Sequence, residues 1–219
     1  MTAALVGLGF LLGLRHALEP DHLSAVAALA SRSARVRDVA RVAAAWGLGH
    51  AAVLLAAGTA LVWTGAHWPP ALAATLELAA GAILVWLGVD VVRRALPAPL
   101  PAVGAVALAT EGAPSDGAPT FAARAFVIGG VHGVEGSGAV VLVALPSVHS
   151  ASAAALYLGA FGLGSVAGMV ACSFAVTLPL GIVARRFAGG ARRLQLAVGV
   201  TSLAVGASMI AAYIRSIFT

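Results

Sequence analysis

The chain reads as an all-α polytopic membrane protein, with six transmembrane helices arranged as two inverted three-helix repeats. Three observations predict this. The 219 residues are 61% hydrophobic and only 10% charged, with a mean hydropathy of +1.00, whereas soluble domains carry about 25% charged residues. Six apolar stretches, 3–30, 42–63, 71–92, 124–145, 152–180 and 195–214, reach the roughly 20 residues needed to cross a bilayer. Motifs of the first half also return in the same order in the second, offset by 115 to 118 positions.

The first stretch is interrupted. Residues 13–22 read Gly-Leu-Arg-His-Ala-Leu-Glu-Pro-Asp-His, placing two histidines, two carboxylates, an arginine and a proline inside an apolar run. A charged side chain at the bilayer centre costs on the order of 2.5–3.5 kcal/mol by insertion scales. Helix packing does not call for such a concentration, although a polar knot holding a helix break is the structural alternative. Pro20 lacks an N–H and clashes with the preceding turn, so helix 1 is expected to be interrupted at Pro20, with the carbonyl of His16 freed. Broken helices carrying such groups at membrane depth are how transporters build ion sites. The apolar start has no basic n-region before it, which predicts a retained helix, not a signal peptide.

The connections after it are asymmetric. Arg32, Arg35, Arg37 and Arg41 lie in the first loop; Arg93, Arg94 and Arg124 bound the third; Arg185, Arg186, Arg192 and Arg193 mark the fifth. Loops two and four contain none. Cytoplasmic loops gather basic residues, so both termini are expected outside, in a multi-pass protein of a bacterial-type inner membrane. The same rule accounts for the net charge of +5 without nucleic acid as a partner; the bilayer is the partner. Trp63 and Trp68 fit an outer interfacial belt and Trp46 an inner one. Residues 95–123, rich in Pro, Ala and Gly, read as a cytoplasmic linker between the first repeat (1–94) and the second (124–219). The single cysteine, Cys172, leaves no disulfide framework or thiolate cluster to consider.

Three pairs of motifs carry the repeat. Gly13-Leu-Arg-His16-Ala-Leu-Glu19 matches Gly129-Gly-Val-His132-Gly-Val-Glu135; Gly47-Leu-Gly49-His50 matches Gly162-Leu-Gly164-Ser165; Leu76-Glu77-Leu-Ala-Ala-Gly81 matches Leu194-Gln195-Leu-Ala-Val-Gly199. With three spans per half, the copies enter the membrane from opposite sides, an architecture of many secondary transporters, and a site is expected where helices one and four meet near the midplane. Side chains three and four apart share a helical face, which groups His16 with Glu19, Glu19 with His22, and His132 with Glu135. Asp21 falls off that stripe unless the break returns it. Imidazole with carboxylate suits nickel, cobalt or zinc, whereas magnesium and calcium sites are all oxygen. Ligation needs neutral imidazole, so ion binding is expected to weaken as pH falls through roughly 6.5. Glu77, in the third span, is either a proton carrier or half of an ion pair.

His16-Ala-Leu-Glu-Pro-Asp21-His22 resembles the H-x4-D-H signature of the nickel/cobalt transporter (NiCoT) family, and Gly47-Leu-Gly-His50 is similar to its second-helix motif. Gly130-Val-His132-Gly-Val-Glu-Gly136-Ser-Gly138-Ala looks closest to the smaller UreH-like branch of nickel permeases linked with urease. The chain departs from the family in having Glu19-Pro20-Asp21-His22 for an Asp-Ala-Asp-His core, and six helices where larger members have eight. The resemblance implies an inward secondary permease for Ni2+ or Co2+, with His16, Asp21, His22 and His50 handling the metal, joined by His132 and Glu135; the shared helical face adds Glu19 to the metal candidates. The ion is then the transported substrate, no resident cofactor is implied, and the link to a nickel enzyme such as urease is indirect. Three rivals stand beside this reading. An efflux permease would use the same ligands, but exporters often carry a His-rich loop that 95–123 lacks. A membrane-embedded metal-dependent enzyme would place catalytic zinc there, but H-E-x-x-H is absent, and the chain is read as no enzyme. A metal-free transporter would use the polar cluster as a proton relay.

Overall fold

In the computed structural model, the described residues are 2–31, 36–64, 70–96, 118–133, 150–186 and 189–218, and among them there are seven helices and no strand. These are α1 (Thr2–His16), α2 (Pro20–Ala30), α3 (Val36–Thr64), α4 (Pro70–Ala95), α5 (Ala118–His132), α6 (Ala151–Arg186) and α7 (Gly190–Phe218). Four of them, α3, α4, α6 and α7, are long and apolar enough to cross a membrane. Their outward faces are apolar as well: Leu48, Trp86, Leu163 and Val200 are all more than half exposed. A helix that is hydrophobic all round belongs in lipid or in a large core, and with several of them this is a multi-pass membrane protein.

α1 and α2 are one apolar stretch divided by a turn at 17–19, so the interruption falls just ahead of Pro20 and not at it. Proline disfavours helical geometry in the residue before it, and Glu19 is accordingly extended (φ −63°, ψ 146°). Pro20 then takes the first position of α2, where a missing N–H costs nothing, and Asp21 follows in the first turn, where the helix dipole favours a carboxylate. The expected release of the His16 carbonyl is corrected here. It accepts the N–H of Glu19 at 3.0 Å, because the chain tightens to a three-residue turn once proline cannot supply the four-residue bond.

The principal helix contacts pair α1 with α6, α3 with α5, α3 with α6, and α4 with α7, while α2 lies against α6 and α7. Glycine permits the closest of these. A Cβ on Gly13 would collide with the Phe161 carbonyl, and one on Gly164 with that of Phe10. On the other side of the bundle, Gly129 meets the Trp46 carbonyl and Gly49 that of Phe126 in the same way. Between α4 and α7, Gly81 sits on the Gly206 carbonyl and Gly88 on that of Gly199. Two apolar clusters result. One holds Trp46, Leu84, Leu87 and Met169, the other Leu54, Tyr157, Leu158 and Phe161.

Most of the expected linker and the second half of the fourth expected span lie outside the described residues, as do Trp68 and Glu135. Of the expected aromatic belts, Trp63 is 83% exposed at the end of α3. Trp46 is not interfacial: it is fully buried at the centre of the first cluster, because its face of α3 is the one that α5 and α6 cover. Asp90 pairs with Arg94 one turn on, at the end of α4, as an interfacial ion pair should.

Candidate metal site

Four histidines occupy the space between the two clusters. His16 ends α1, His22 lies in the first turn of α2, His50 is mid-way along α3, and His132 ends α5. All four are buried, at 2% exposure or less. The break in the first helix is what turns His16 and His22 toward each other, with ring centres 4.2 Å apart. α3 brings His50 to 4.9 Å from His16 and 5.1 Å from His22. The contact of α5 with α3 sets His132 at 6.1 Å from His22. Aromatic rings close the group at both ends. Phe161 packs on His16 at 5.3 Å, and Trp46 on His22 at 5.5 Å and on His132 at 6.0 Å.

Hydrogen bonds fix where the lone pairs point when the rings are neutral. A carboxylate only accepts, so His16 Nδ1–H donates to Glu19 Oε2 at 3.1 Å. Its Nε2 is then the acceptor, and His50 Nε2–H donates to it at 3.0 Å. His132 Nδ1–H donates to the Ile128 carbonyl at 3.2 Å, leaving Nε2 with the free pair. Such outer bonds orient imidazoles that ligate metals. Asp21 Oδ2 stands 2.6 Å from His22 Nδ1.

Among the described residues, four buried polar atoms of this region have neither a hydrogen-bond nor a carboxylate partner: His22 Nε2, His50 Nδ1, His132 Nε2 and Trp46 Nε1. Each such atom costs about 1–3 kcal/mol, and buried polar groups otherwise find partners almost without exception. Four together describe a place prepared for something else. The donors suit a cation: the ligand atoms of His16, His22 and His50 lie within 4.8 Å of one another, and so do those of Glu19, Asp21 and His22.

The structure therefore brings together six of the seven residues singled out from sequence, and the seventh, Glu135, is outside the described residues. Asp21, off the stripe of an ideal helix, joins Glu19 and His22 because the turn at 17–19 resets the register. Glu77 is half-buried on α4 and belongs to neither ligand set. Trp46 was missed as a member of the region. The signal was present, since Trp46 is one helical turn before His50 and holds the place in the first half that Phe161 holds in the second.

No family model matches the chain, and no solved structure matches it. It is similar to the urease accessory protein UreH of Bacillus sp. (strain TB-90), with 28% identity over 185 residues, which is 84% of this chain and 80% of that protein. The name that relative carries is that of an accessory protein, not of an enzyme.

Proposed function

We propose that this chain is a six-span secondary permease that carries Ni2+, or Co2+, inward across the inner membrane through a site built from both halves of an inverted repeat. The observation that carries the reading is the convergence of four buried histidines, three of which, His22, His50 and His132, hold a ring nitrogen with no hydrogen-bond partner among the described residues. The spacing suits an ion. His16 Nε2 and His50 Nε2 are 3.0 Å apart, and two nitrogens held about 2.0–2.1 Å from one metal at right angles stand about 2.9 Å apart. Ligation through His50 Nε2 would move that ring's proton to Nδ1, which has no hydrogen-bond partner among the described residues. Nitrogen with carboxylate favours nickel, cobalt or zinc over magnesium and calcium. The NiCoT-like motifs, together with a relative named for urease, favour nickel.

The inverted repeat is supported by the glycine contacts. Shifting the Gly13–Phe161 and Gly164–Phe10 contacts by the motif offsets of 115 and 116 gives Gly129–Trp46 and Gly49–Phe126. An offset of 118 exchanges Gly81–Gly206 with Gly199–Gly88. Equivalent residues thus make equivalent contacts, as a pseudo-two-fold axis requires. With α1 and α2 counted as one broken span and α5 opening another, the four long helices complete six.

The test is Ni2+ accumulation by proteoliposomes containing the wild-type protein or His22→Ala. Accumulation that disappears in the variant is the expected result. Equal accumulation by the variant would take His22 off the pathway, and an inert wild type would end the permease reading.

A further inference from the structure

Two ligand sets meet at His22. The first is His16, His22 and His50, all buried; the second is Glu19, Asp21 and His22, with its ligand atoms within the same 4.8 Å. They differ in exposure. The side chains of Glu19 and Asp21 keep 32% and 16% of their surface, against 1% for His16 and His22. Two carboxylates at a helix break are not a site by themselves. What points this pair at a ligand is His22, fully buried, with Nδ1 2.6 Å from Asp21 Oδ2 and Nε2 without a hydrogen-bond partner among the described residues. Nδ1 lies against the Asp21 carboxylate, which leaves Nε2, on the other edge of the ring, for the imidazole set.

Resting on the permease reading above, the geometry points to two adjoining stations for one divalent cation, an outer carboxylate station of Glu19, Asp21 and His22 and an inner imidazole station of His16, His22 and His50. The outer station has two anionic oxygens and is open enough for the ion to keep part of its water. It accepts oxygen-preferring ions such as Mn2+ as well as Ni2+. Moving inward through His22 exchanges two charged oxygens for two neutral nitrogens and strips the remaining water. Ni2+, Co2+ and Zn2+ gain from that exchange, whereas Mg2+, Ca2+ and Mn2+ lose their preferred ligands. Selection then arises at the step between the stations, and the shared His22 ensures that one ion is held at a time.

Mn2+ and Ni2+ binding to the purified full chain in detergent tests this, the first by loss of the free Mn2+ EPR signal and the second by calorimetry. Wild type is expected to bind Ni2+ tightly and Mn2+ weakly, each displacing the other. His50→Ala should lose about 10–100-fold in Ni2+ affinity, the usual effect of disturbing a metal's shell, while Mn2+ affinity stays within about threefold. The double variant Glu19→Gln/Asp21→Asn should lose Mn2+ binding. His50→Asn is measured alongside His50→Ala, and retained Mn2+ binding itself reports a folded outer station. Equal weakening of both ions by either His50 variant means a single site and overturns the two stations while leaving the permease reading intact. Wild type that binds Ni2+ but no Mn2+ has the same consequence. Wild type that binds no Ni2+ overturns both.

Discussion

Glu19 is the residue whose role is set most directly by its surroundings. Its carboxylate accepts the Nδ1–H of His16, which holds the lone pair of that ring on Nε2, facing His50. Glutamine in its place offers a weaker acceptor and an N–H2 that can turn the ring over. Glu19→Gln should therefore lower Ni2+ affinity by about 10–100-fold, measured by calorimetric titration of the purified protein, with its helical content unchanged. A wild-type isotherm would remove Glu19 from the support of His16. The ligand-bearing side chains were legible in the sequence because ionisable groups are rare in apolar runs, and rarity singles out His16, Glu19, Asp21, His22, His50 and His132 before any coordinates exist. Trp46 is harder to read, because an aromatic residue among alanines has the same appearance at an interface and in a core, and its spacing of one turn from His50 is the one sequence signal that ties it to the site. The contacts of α5 and α6 with α3 then decide for the core.

At the scale of elements, the bundle depends on backbones that approach too closely for a side chain. Gly129 on α5 rests on the carbonyl of Trp46 on α3. Gly129→Ala would have to part these helices, and because the obstacle is backbone it cannot swing aside. Overpacking of this kind costs about 1–3 kcal/mol or more, and here it would also shift His132, one turn along α5. Gly159 on α6 has nothing within 4 Å of its added methyl, so Gly159→Ala should be neutral or stabilise by up to about 1 kcal/mol through helix propensity. Thermal unfolding in detergent separates the two, with Gly129→Ala melting well below wild type and Gly159→Ala at or above it. Equal midpoints would mean that the α3–α5 contact contributes little to stability. The helices themselves were readable from hydropathy. The exact place of the first break was not, because proline's effect on its predecessor moves the interruption to 17–19, and the three-residue turn then satisfies the carbonyl that proline strands.

The whole molecule raises the question of how many times the chain crosses the bilayer. α1 has 15 residues and α2 has 11; at 1.5 Å per residue these are about 22 and 17 Å long, each short of the roughly 30 Å hydrocarbon core. Laid end to end across the turn at 17–19 they would exceed it, so the proposed six spans require the broken pair to serve as one, with its ionisable residues near mid-depth. The antiparallel contact of α4 with α7, from Gly81–Gly206 to Gly88–Gly199, puts the end of α4 and the start of α7 on one side. Exposed Arg93, Arg94, Arg192 and Arg193 gather there, the side that the proposed topology assigns to the cytoplasm. α7 then exits on the opposite side, carrying Arg215 near its end against the general trend. An even number of spans requires the amino terminus to share that outer side. Reporters fused in turn to Met1 and Thr219, one active only outside the cytoplasm and one only within it, should both read outside. Termini on opposite sides would make the number of spans odd, and two halves of three inverted spans each would then be impossible whatever metal the histidines hold.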